Sequence, residues 1–205
     1  MTRYVYGFND VIDTPEPRLL LGGKGAGLAE MTRLGIPVPP GFTITTEACR
    51  AFSATGKIPE GLEAEVDKAL ASLEENVGKR LGDAEAPLLL SVRSGGVVSM
   101  PGMMDTILNL GIDDATADGL ARVMDNRRFA FDAYRRFLEM YGDVVLGLDR
   151  NDFEDAFNDV KSGLGDPAMR DQDVPAKDLQ SLVGRFQNIA KSAGKPFPNT
   201  VQKQL

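Results

Sequence analysis

The run from Gly22 to Gly27, Gly-Gly-Lys-Gly-Ala-Gly, is the first stretch of the sequence that could do chemistry. Glycines let backbone N–H groups approach an anion closely, a helix N-terminus adds partial positive charge, and Lys24 would add a full charge. The run is not a P-loop, because the lysine precedes the second group of glycines and no Ser or Thr follows, and it is not a dinucleotide-binding fingerprint. It predicts either a phosphate-binding turn or a flexible structural turn.

A second candidate stretch covers residues 91–106, where an arginine follows an apolar run and leads into a loop rich in Gly and Ser. Arginine stays charged and is costly to bury alone. Arg93 therefore either pairs with a carboxylate, for which Asp105 is available, or faces a bound anion. The loop also holds methionines that either pack against the protein or form a soft apolar wall against a planar ligand. These are Met100, Met103 and Met104.

The composition excludes several kinds of active site. The chain has 205 residues and no histidine, so within this chain a Ser-His-Asp triad, a Cys-His dyad, a His-ligated metal and a phosphohistidine are excluded. Cys49 is the only cysteine, which excludes a disulfide framework and predicts a cytoplasmic protein. The net charge of −7 argues against nucleic acid as a partner. No apolar run is long enough to predict a membrane span.

The pattern of apolar and β-branched residues predicts four strands, over residues 4–8, 42–46, 88–92 and 106–110. The third of these runs is continuously apolar, which is typical of a strand buried on both faces. We interpret the glycine run as a turn that leads into a short helix, with Gly35 as its C-cap. Thr46 is the candidate N-cap of the helix that follows the second strand.

Helical spacing of apolar residues predicts an amphipathic helix over residues 62–77 and a mainly helical region after Gly111. The predicted helices of that region cover residues 114–124, 126–141, 151–162 and 176–193. We therefore predict an α+β fold. Its predicted parts are an α+β domain over 1–112, an all-helical domain over 113–193 and a linker over 194–205.

Within the second predicted helix of that region, apolar and basic residues form separate patterns. An apolar stripe recurs every four residues, at Phe129, Ala133, Phe137 and Tyr141. The arginines stand among acidic residues, which predicts ion pairs at the surface. These arginines are Arg127, Arg128, Arg135 and Arg136.

Taken together, these stretches resemble the N-terminal nucleotide-binding domain of pyruvate phosphate dikinase. The resemblance rests on Leu-Leu-Gly-Gly-Lys-Gly at 20–25, Val-Pro-Pro-Gly-Phe-Thr-Ile-Thr-Thr-Glu-Ala-Cys at 38–49, Ser-Val-Arg-Ser-Gly at 91–95 and Ser-Met-Pro-Gly-Met-Met-Asp-Thr at 99–106. It continues into the helical region, through residues 128–137 and 140–145. Phosphoenolpyruvate synthase is a relative that shares the Gly-Gly-Lys-Gly and Ser-Val-Arg-Ser elements, whereas the Met-Pro-Gly-Met-Met-Asp-Thr run favours the dikinase.

The resemblance implies the first subdomain of an ATP-grasp-like fold, with a helical insert. It implies an enzyme that converts ATP, phosphate and pyruvate to AMP, diphosphate and phosphoenolpyruvate, with Mg²⁺ and a phosphohistidine on a separate swivelling domain. By residue match, Lys24 and Arg93 would bind nucleotide phosphates, and Gly102, Asp105 and Thr106 would line the nucleotide. No catalytic residue or metal ligand is assigned to this chain, because the resemblance places the Mg²⁺ ligands outside it.

The resemblance also implies partners and leaves alternatives open. The expected partners are ATP or AMP and the remaining domains of the same enzyme, which is expected to be a homodimer. This sequence departs from the family pattern at Gly96 and Val97, where the family usually has Ala-Arg. The family enzyme is several times longer, so we interpret the chain as its N-terminal part, inactive alone. The alternatives are a part of a phosphoenolpyruvate synthase and a stand-alone, non-catalytic nucleotide-binding or regulatory module.

Overall fold

A computed structural model describes residues 2–95 and 105–205 of the chain. Over these residues it has seven α-helices and six short strands that form three two-stranded sheets, so the predicted α+β class is confirmed. The described residues divide into two compact units, the first made of 2–78 with 94–95 and the second of 79–93 with 105–205. The domain bounds predicted from the sequence stay a prediction.

The first unit contains one antiparallel strand pair and three helices. Strand β1 (Val5–Gly7) pairs with strand β2 (Phe42–Ile44), with Tyr6 opposite Thr43. The helices are α1 (Pro17–Arg33), α2 (Thr46–Thr55) and α3 (Leu62–Val77). The first two predicted strands and the predicted amphipathic helix are therefore present.

Helix α1 corrects the interpretation of the glycine run. The helix already begins at Pro17, in a position where the missing N–H of proline costs nothing. Its only non-helical residue is Gly22, at φ 70° and ψ 170°, and the helix resumes after it. The turn is therefore confined to one residue, and the prediction of a turn through the whole run was wrong. At the other end the C-cap is Leu34, one residue before the predicted Gly35. Gly35 follows it in the left-handed conformation, with φ +75°, and the next N–H, of Ile36, donates to Met31 O at 3.0 Å.

The start of α2 lies one residue earlier than predicted. Thr45, not Thr46, is the N-cap, because its extended backbone lets its side-chain oxygen accept from the Ala48 N–H at 3.4 Å. The helix then continues to Thr55 and ends on Gly56 in the left-handed conformation.

The strands of the second unit are short. Strand β3 (Arg80–Leu81) runs parallel to β4 (Pro87–Leu88), and β5 (Leu90–Arg93) runs antiparallel to β6 (Thr106–Leu110). The prediction of one continuous strand buried on both faces was wrong. The apolar run is divided between β4 and β5, and Val92 is 38% exposed, because β5 belongs to a sheet with only β6 beside it among the described residues.

Four helices confirm the predicted helical region: α4 (Asp114–Val123), α5 (Arg127–Val144), α6 (Arg150–Gly163) and α7 (Ala176–Ser192). Helix α5 packs against the other three and against β6. Phe153 of α6 and Phe186 of α7 are fully buried and meet edge to face, with ring centroids 4.9 Å apart. Within the described part of the chain, no helix is both long and apolar enough to cross a membrane.

Two features of the second unit differ from the sequence patterns. Phe129, the first residue of the predicted apolar stripe, is 44% exposed, whereas Arg135 is buried. The Arg135 guanidinium contacts Asp132, Glu139 and Asp171 at 2.9, 3.3 and 3.2 Å, so the prediction of a surface ion pair was wrong for this residue. Helix α5 has neighbours on several sides, so burial extends beyond one apolar stripe.

The last residues of the chain are tied to the end of β6. A 3₁₀ turn covers Val201–Gln204, and the side chains of Val201 and Gln204 are buried. The Gln204 amide accepts from the Gly111 N–H at 2.8 Å and donates to Ile112 O at 3.0 Å. The sequence of this segment showed no pattern from which this pair of hydrogen bonds could be predicted.

Candidate functional site

Lys24 is the candidate cation of the first unit. It lies exposed in the helical segment that resumes after Gly22, where the positive end of the helix dipole favours an anion. Its ammonium donates to the Ser94 carbonyl oxygen at 3.2 Å. The two residues are far apart in sequence, so no local pattern predicts this partner.

Two glycines of the run have structural reasons to be glycine. Gly22 adopts a positive φ, which glycine tolerates without strain. Gly25 packs against β2, where a Cβ atom would lie 2.7 Å from Thr43 Cγ2. At Gly27, in contrast, an added Cβ atom would meet no neighbouring atom within 4 Å. Local structure therefore accounts for both glycines, by a one-residue turn at Gly22 and by close packing against Thr43 at Gly25. Neither reason applies to the exposed lysine between them.

The second candidate stretch is an edge of the β5–β6 pair. Arg93, the last residue of β5, lies directly opposite Thr106, the first residue of β6. Directly opposed residues of an antiparallel pair project to the same face of the sheet. The register thus places Arg93 and Thr106 as neighbours on one face of the strand pair, and the exposed Asp105 directly precedes Thr106 in the chain. Arg93 itself is exposed, as a group that meets a ligand must be.

Several residues of the predictions lie outside the described residues. Among them is Gly102, which the resemblance places along the nucleotide. The departures from the family pattern, Gly96 and Val97, and the three loop methionines lie there too.

A groove of about 620 Å³ lies in the first unit between α3 and the β1 region, a volume within the usual range of ligand sites. Its two carboxylates are already engaged. Glu65 accepts from the N–H groups of Tyr4 and Val5 at 2.8 Å each, and Asp10 accepts from Gly7 N–H at 2.9 Å and pairs with Arg3. None of the predicted nucleotide residues that the structure describes lines it. Its acidic groups hold β1 in place.

Ionisable groups with perturbed pKa values also have structural roles. Burial, reinforced by the charge of Asp114 and a hydrogen bond with it, raises the pKa of Tyr134, whose hydroxyl also accepts from the Gln187 amide at 3.0 Å. Over residues 2–95 and 105–205, no group of three or more His, Cys, Asp or Glu side chains is arranged to hold a metal ion. The expectation that Mg²⁺ ligands lie outside this chain stays a prediction.

Comparison with known proteins bears on both candidate stretches. A family described as pyruvate phosphate dikinase, AMP/ATP-binding domain, matches residues 18–68, which include the glycine run and Lys24. A chloroplastic pyruvate, phosphate dikinase 1 from Zea mays is 51% identical over 91% of the chain. The pyruvate, phosphate dikinases of Giardia intestinalis and Clostridium symbiosum are 48% and 46% identical over the whole chain.

These matches extend across 88–112 and the helical region as well, because they cover nine-tenths or more of the chain. The chain spans 20% of the length of the maize relative and 24% and 23% of the other two. The predicted resemblance is therefore confirmed, and the chain is related by sequence to the AMP/ATP-binding region of the pyruvate phosphate dikinases.

Proposed function

We propose that this chain binds ATP through its phosphates, as the nucleotide-binding part of a pyruvate phosphate dikinase. One observation gives the strongest support to this proposal. Lys24 is an exposed cation at the start of a helical segment, inside the residues that match the AMP/ATP-binding family. A fixed positive group at a helix start attracts and orients a phosphate.

Arg93 is the proposed second phosphate ligand. Its guanidinium can hold two phosphate oxygens at once, and Thr106 across the strand pair supplies a hydroxyl on the same face. Asp105 and Gly102 complete the proposed nucleotide lining. Phosphoryl transfer needs cationic groups that offset the charge of the transferring phosphate, and it needs little covalent chemistry from the protein. Lys24 and Arg93 are of the type that this requires.

The relatives support a proposal about the wider role of the chain. We propose an ATP-grasp-like subdomain in a homodimeric, cytoplasmic enzyme that converts ATP, phosphate and pyruvate to AMP, diphosphate and phosphoenolpyruvate. The chain has no histidine, so a phosphohistidine intermediate would form on a part of the enzyme outside it, as would the Mg²⁺ site. All the relatives named above are dikinases, which favours a dikinase over a phosphoenolpyruvate synthase.

Titration calorimetry with ATP and Mg²⁺ tests the proposal on the 205-residue chain. We expect Lys24→Ala and Arg93→Ala each to weaken ATP binding by roughly tenfold or more, as the loss of one charge-assisted phosphate contact should. Two exposed basic residues outside the site serve as matched controls, Lys68→Ala on α3 and Arg185→Ala on α7. Both controls should bind ATP like the unmodified chain.

The control on α3 also separates two sites, because Lys68 lines the groove of the first unit. If Lys68→Ala weakened ATP binding while Lys24→Ala and Arg93→Ala did not, ATP would occupy the groove and the proposed site would be wrong. No heat of binding to the unmodified chain at millimolar ATP would refute binding by this chain itself.

A further inference from the structure

The β5–β6 pair contains an irregularity whose position matters for the candidate site. Leu90 lies opposite Leu110, but Val92 lies opposite Ile107. Two steps along β5 therefore correspond to three steps along β6, so β6 carries one extra residue. This two-against-one arrangement is a β-bulge.

The pattern of buried and exposed residues along β6 is independent evidence for the same bulge. Ile107 and Leu110 are both buried, with 8% and 2% of their surfaces exposed, whereas Leu108 between them is 39% exposed. In a regular strand, residues three apart project to opposite faces. Two residues three apart can share the buried face only if the strand contains an additional residue.

Asn109 has the backbone conformation that makes the bulge. Its φ is +61°, in the left-handed region that asparagine tolerates better than other non-glycine residues. Its side-chain amide donates to the Ala133 carbonyl of α5 at 3.2 Å, and its own carbonyl accepts from the Ile112 N–H at 3.3 Å. Hydrogen bonds from side chain and backbone thus hold the bulged residue in place.

The bulge decides which residue faces Arg93. If β6 continued in the register set by Leu90 and Leu110, Arg93 would lie opposite Ile107 rather than Thr106. A one-residue slip also moves every side chain of a strand to the other face. Ile107 would then leave the buried face, and the hydroxyl of Thr106 would leave the face of Arg93.

We propose that Asn109 is a positioning residue for nucleotide binding: the bulge that it forms places the Thr106 hydroxyl beside the Arg93 guanidinium. The inference rests on the proposed function for its link to ATP, but the register itself does not depend on ATP. Within the described residues, the hydrogen bonds of Asn109 join it to Ala133 and Ile112 and not to a proposed phosphate ligand. Its proposed action is through the pairing of β5 with β6.

The test compares variants at the two non-glycine residues that have positive φ in the described chain, Asn109 and Asp125. Asn109→Val forces a β-branched residue into the left-handed region, whereas Asn109→Gly keeps that conformation and removes only the side chain. Asp125→Val imposes the same backbone conflict at φ +46°, in the turn between α4 and α5. Two readouts are needed: NOEs between the backbone protons of Arg93 and Thr106 without nucleotide, and ATP affinity by calorimetry.

We expect Asn109→Val to lose the NOEs between Arg93 and Thr106 and to bind ATP about fivefold more weakly or worse, by the cost of a left-handed residue. Asn109→Gly should keep the NOEs and an affinity within about twofold of the original. Asp125→Val should lower thermal stability as much as Asn109→Val does, yet keep both readouts. If Asn109→Val unfolds the chain, Asn109→Ala takes its place with the same expected losses.

The outcomes separate the two proposals. Intact NOEs between Arg93 and Thr106 in a folded Asn109→Val or Asn109→Ala variant overturn the positioning role, whatever the ATP affinity. Equal losses of affinity in Asn109→Val and Asp125→Val overturn it as well, since they indicate a general effect of stability. If the unmodified chain shows no ATP binding, the proposed function fails, and loss of the NOEs in Asn109→Val still supports the role of Asn109 in setting the register.

Discussion

Each of the two units is stabilised internally by a different kind of contact. Apart from Thr45, the largest fully buried side chains of the described residues belong to the second unit, with three phenylalanines among them. The described residues of the first unit bury only a few apolar side chains, none of them aromatic: Val5, Leu21, Ala26, Ala48 and Leu73. Its sheet is tied instead by side-chain hydrogen bonds, above all from β1 to Glu65 of α3.

From this difference we infer which unit is the more stable and which one is expected to bind the ligand. Apolar burial is the main source of folding free energy, so the second unit should resist unfolding more than the first. Binding elements are commonly drawn from the less stable parts of a protein. Lys24, the candidate that carries the proposed function, lies in the first unit, which has the smaller apolar core.

The largest expected effect is a loss of folding stability when the core of the second unit is damaged. Such a loss would remove the stability advantage of this unit over the first. Phe186→Ala removes a ring that is fully buried against Phe153 and should lower the free energy of unfolding by about 3–5 kcal/mol. Urea unfolding followed by circular dichroism measures the change. The control is Phe129→Ala, at a ring 44% exposed, where a loss below about 1 kcal/mol is expected. Equal losses would show that the second unit does not depend on its apolar core.

An intermediate effect should loosen the first unit alone. Glu65→Leu leaves the N–H groups of Tyr4 and Val5 without their acceptor and should cost about 1–3 kcal/mol. Hydrogen exchange of these two amides should become faster, while amides of α5 and α7 keep their protection. Glu63→Leu, at an exposed position of the same helix, is the matched control. Unchanged exchange of Val5 in Glu65→Leu would contradict the view that polar contacts hold β1.

The smallest expected effect is a pH dependence confined to the second unit. Burial alone would raise the pKa of Asp171, but the Lys161 hydrogen bond and the charges of Arg135, Lys161 and Arg136 outweigh it and hold that pKa below its usual 3.8. The stabilisation is therefore complete above pH 3.8 and is lost as the pH falls through the lower pKa of the folded state. The carboxylate is half-exposed, so less than about 1 kcal/mol is expected.

Urea unfolding at pH 7 and at pH values below 3.8 measures this dependence. Asp171→Asn should remove the part of the dependence that Asp171 contributes. Lys161→Gln should reduce that part by removing the hydrogen bond at 2.7 Å. If acid lowered the free energy of unfolding equally in the unmodified chain and in both variants, the pH dependence would belong to other groups.

Much of the secondary structure could be predicted because its signals are local. The four helices after Gly111 follow from apolar spacing and begin and end within a few residues of the predicted bounds. The errors occur where the burial of a residue depends on its neighbours in the folded chain. Arg135 is buried since α5 has neighbours on several sides. Val92 in the apolar run is partly exposed, since β5 has only β6 beside it in its sheet among the described residues.

The candidate residues were predicted, but their neighbours were not. The glycine run and the arginine after an apolar strand singled out Lys24 and Arg93 as residues for an anion, and the resemblance specified a nucleotide. The Ser94 carbonyl as a partner of Lys24, and Thr106 as the residue opposite Arg93, are visible only in the folded chain. Their placement as nucleotide ligands stays a proposal.

By itself the sequence determined the α+β class, the absence of histidine chemistry in this chain and the relation to the dikinases, because composition, spacing and motifs are properties of the chain order. Tertiary structure decided the contact of Glu65 with β1, the burial of Arg135 and the bulge at Asn109. Such contacts join residues far apart in the chain, and their register depends on which faces are buried and which hydrogen-bonding groups find partners.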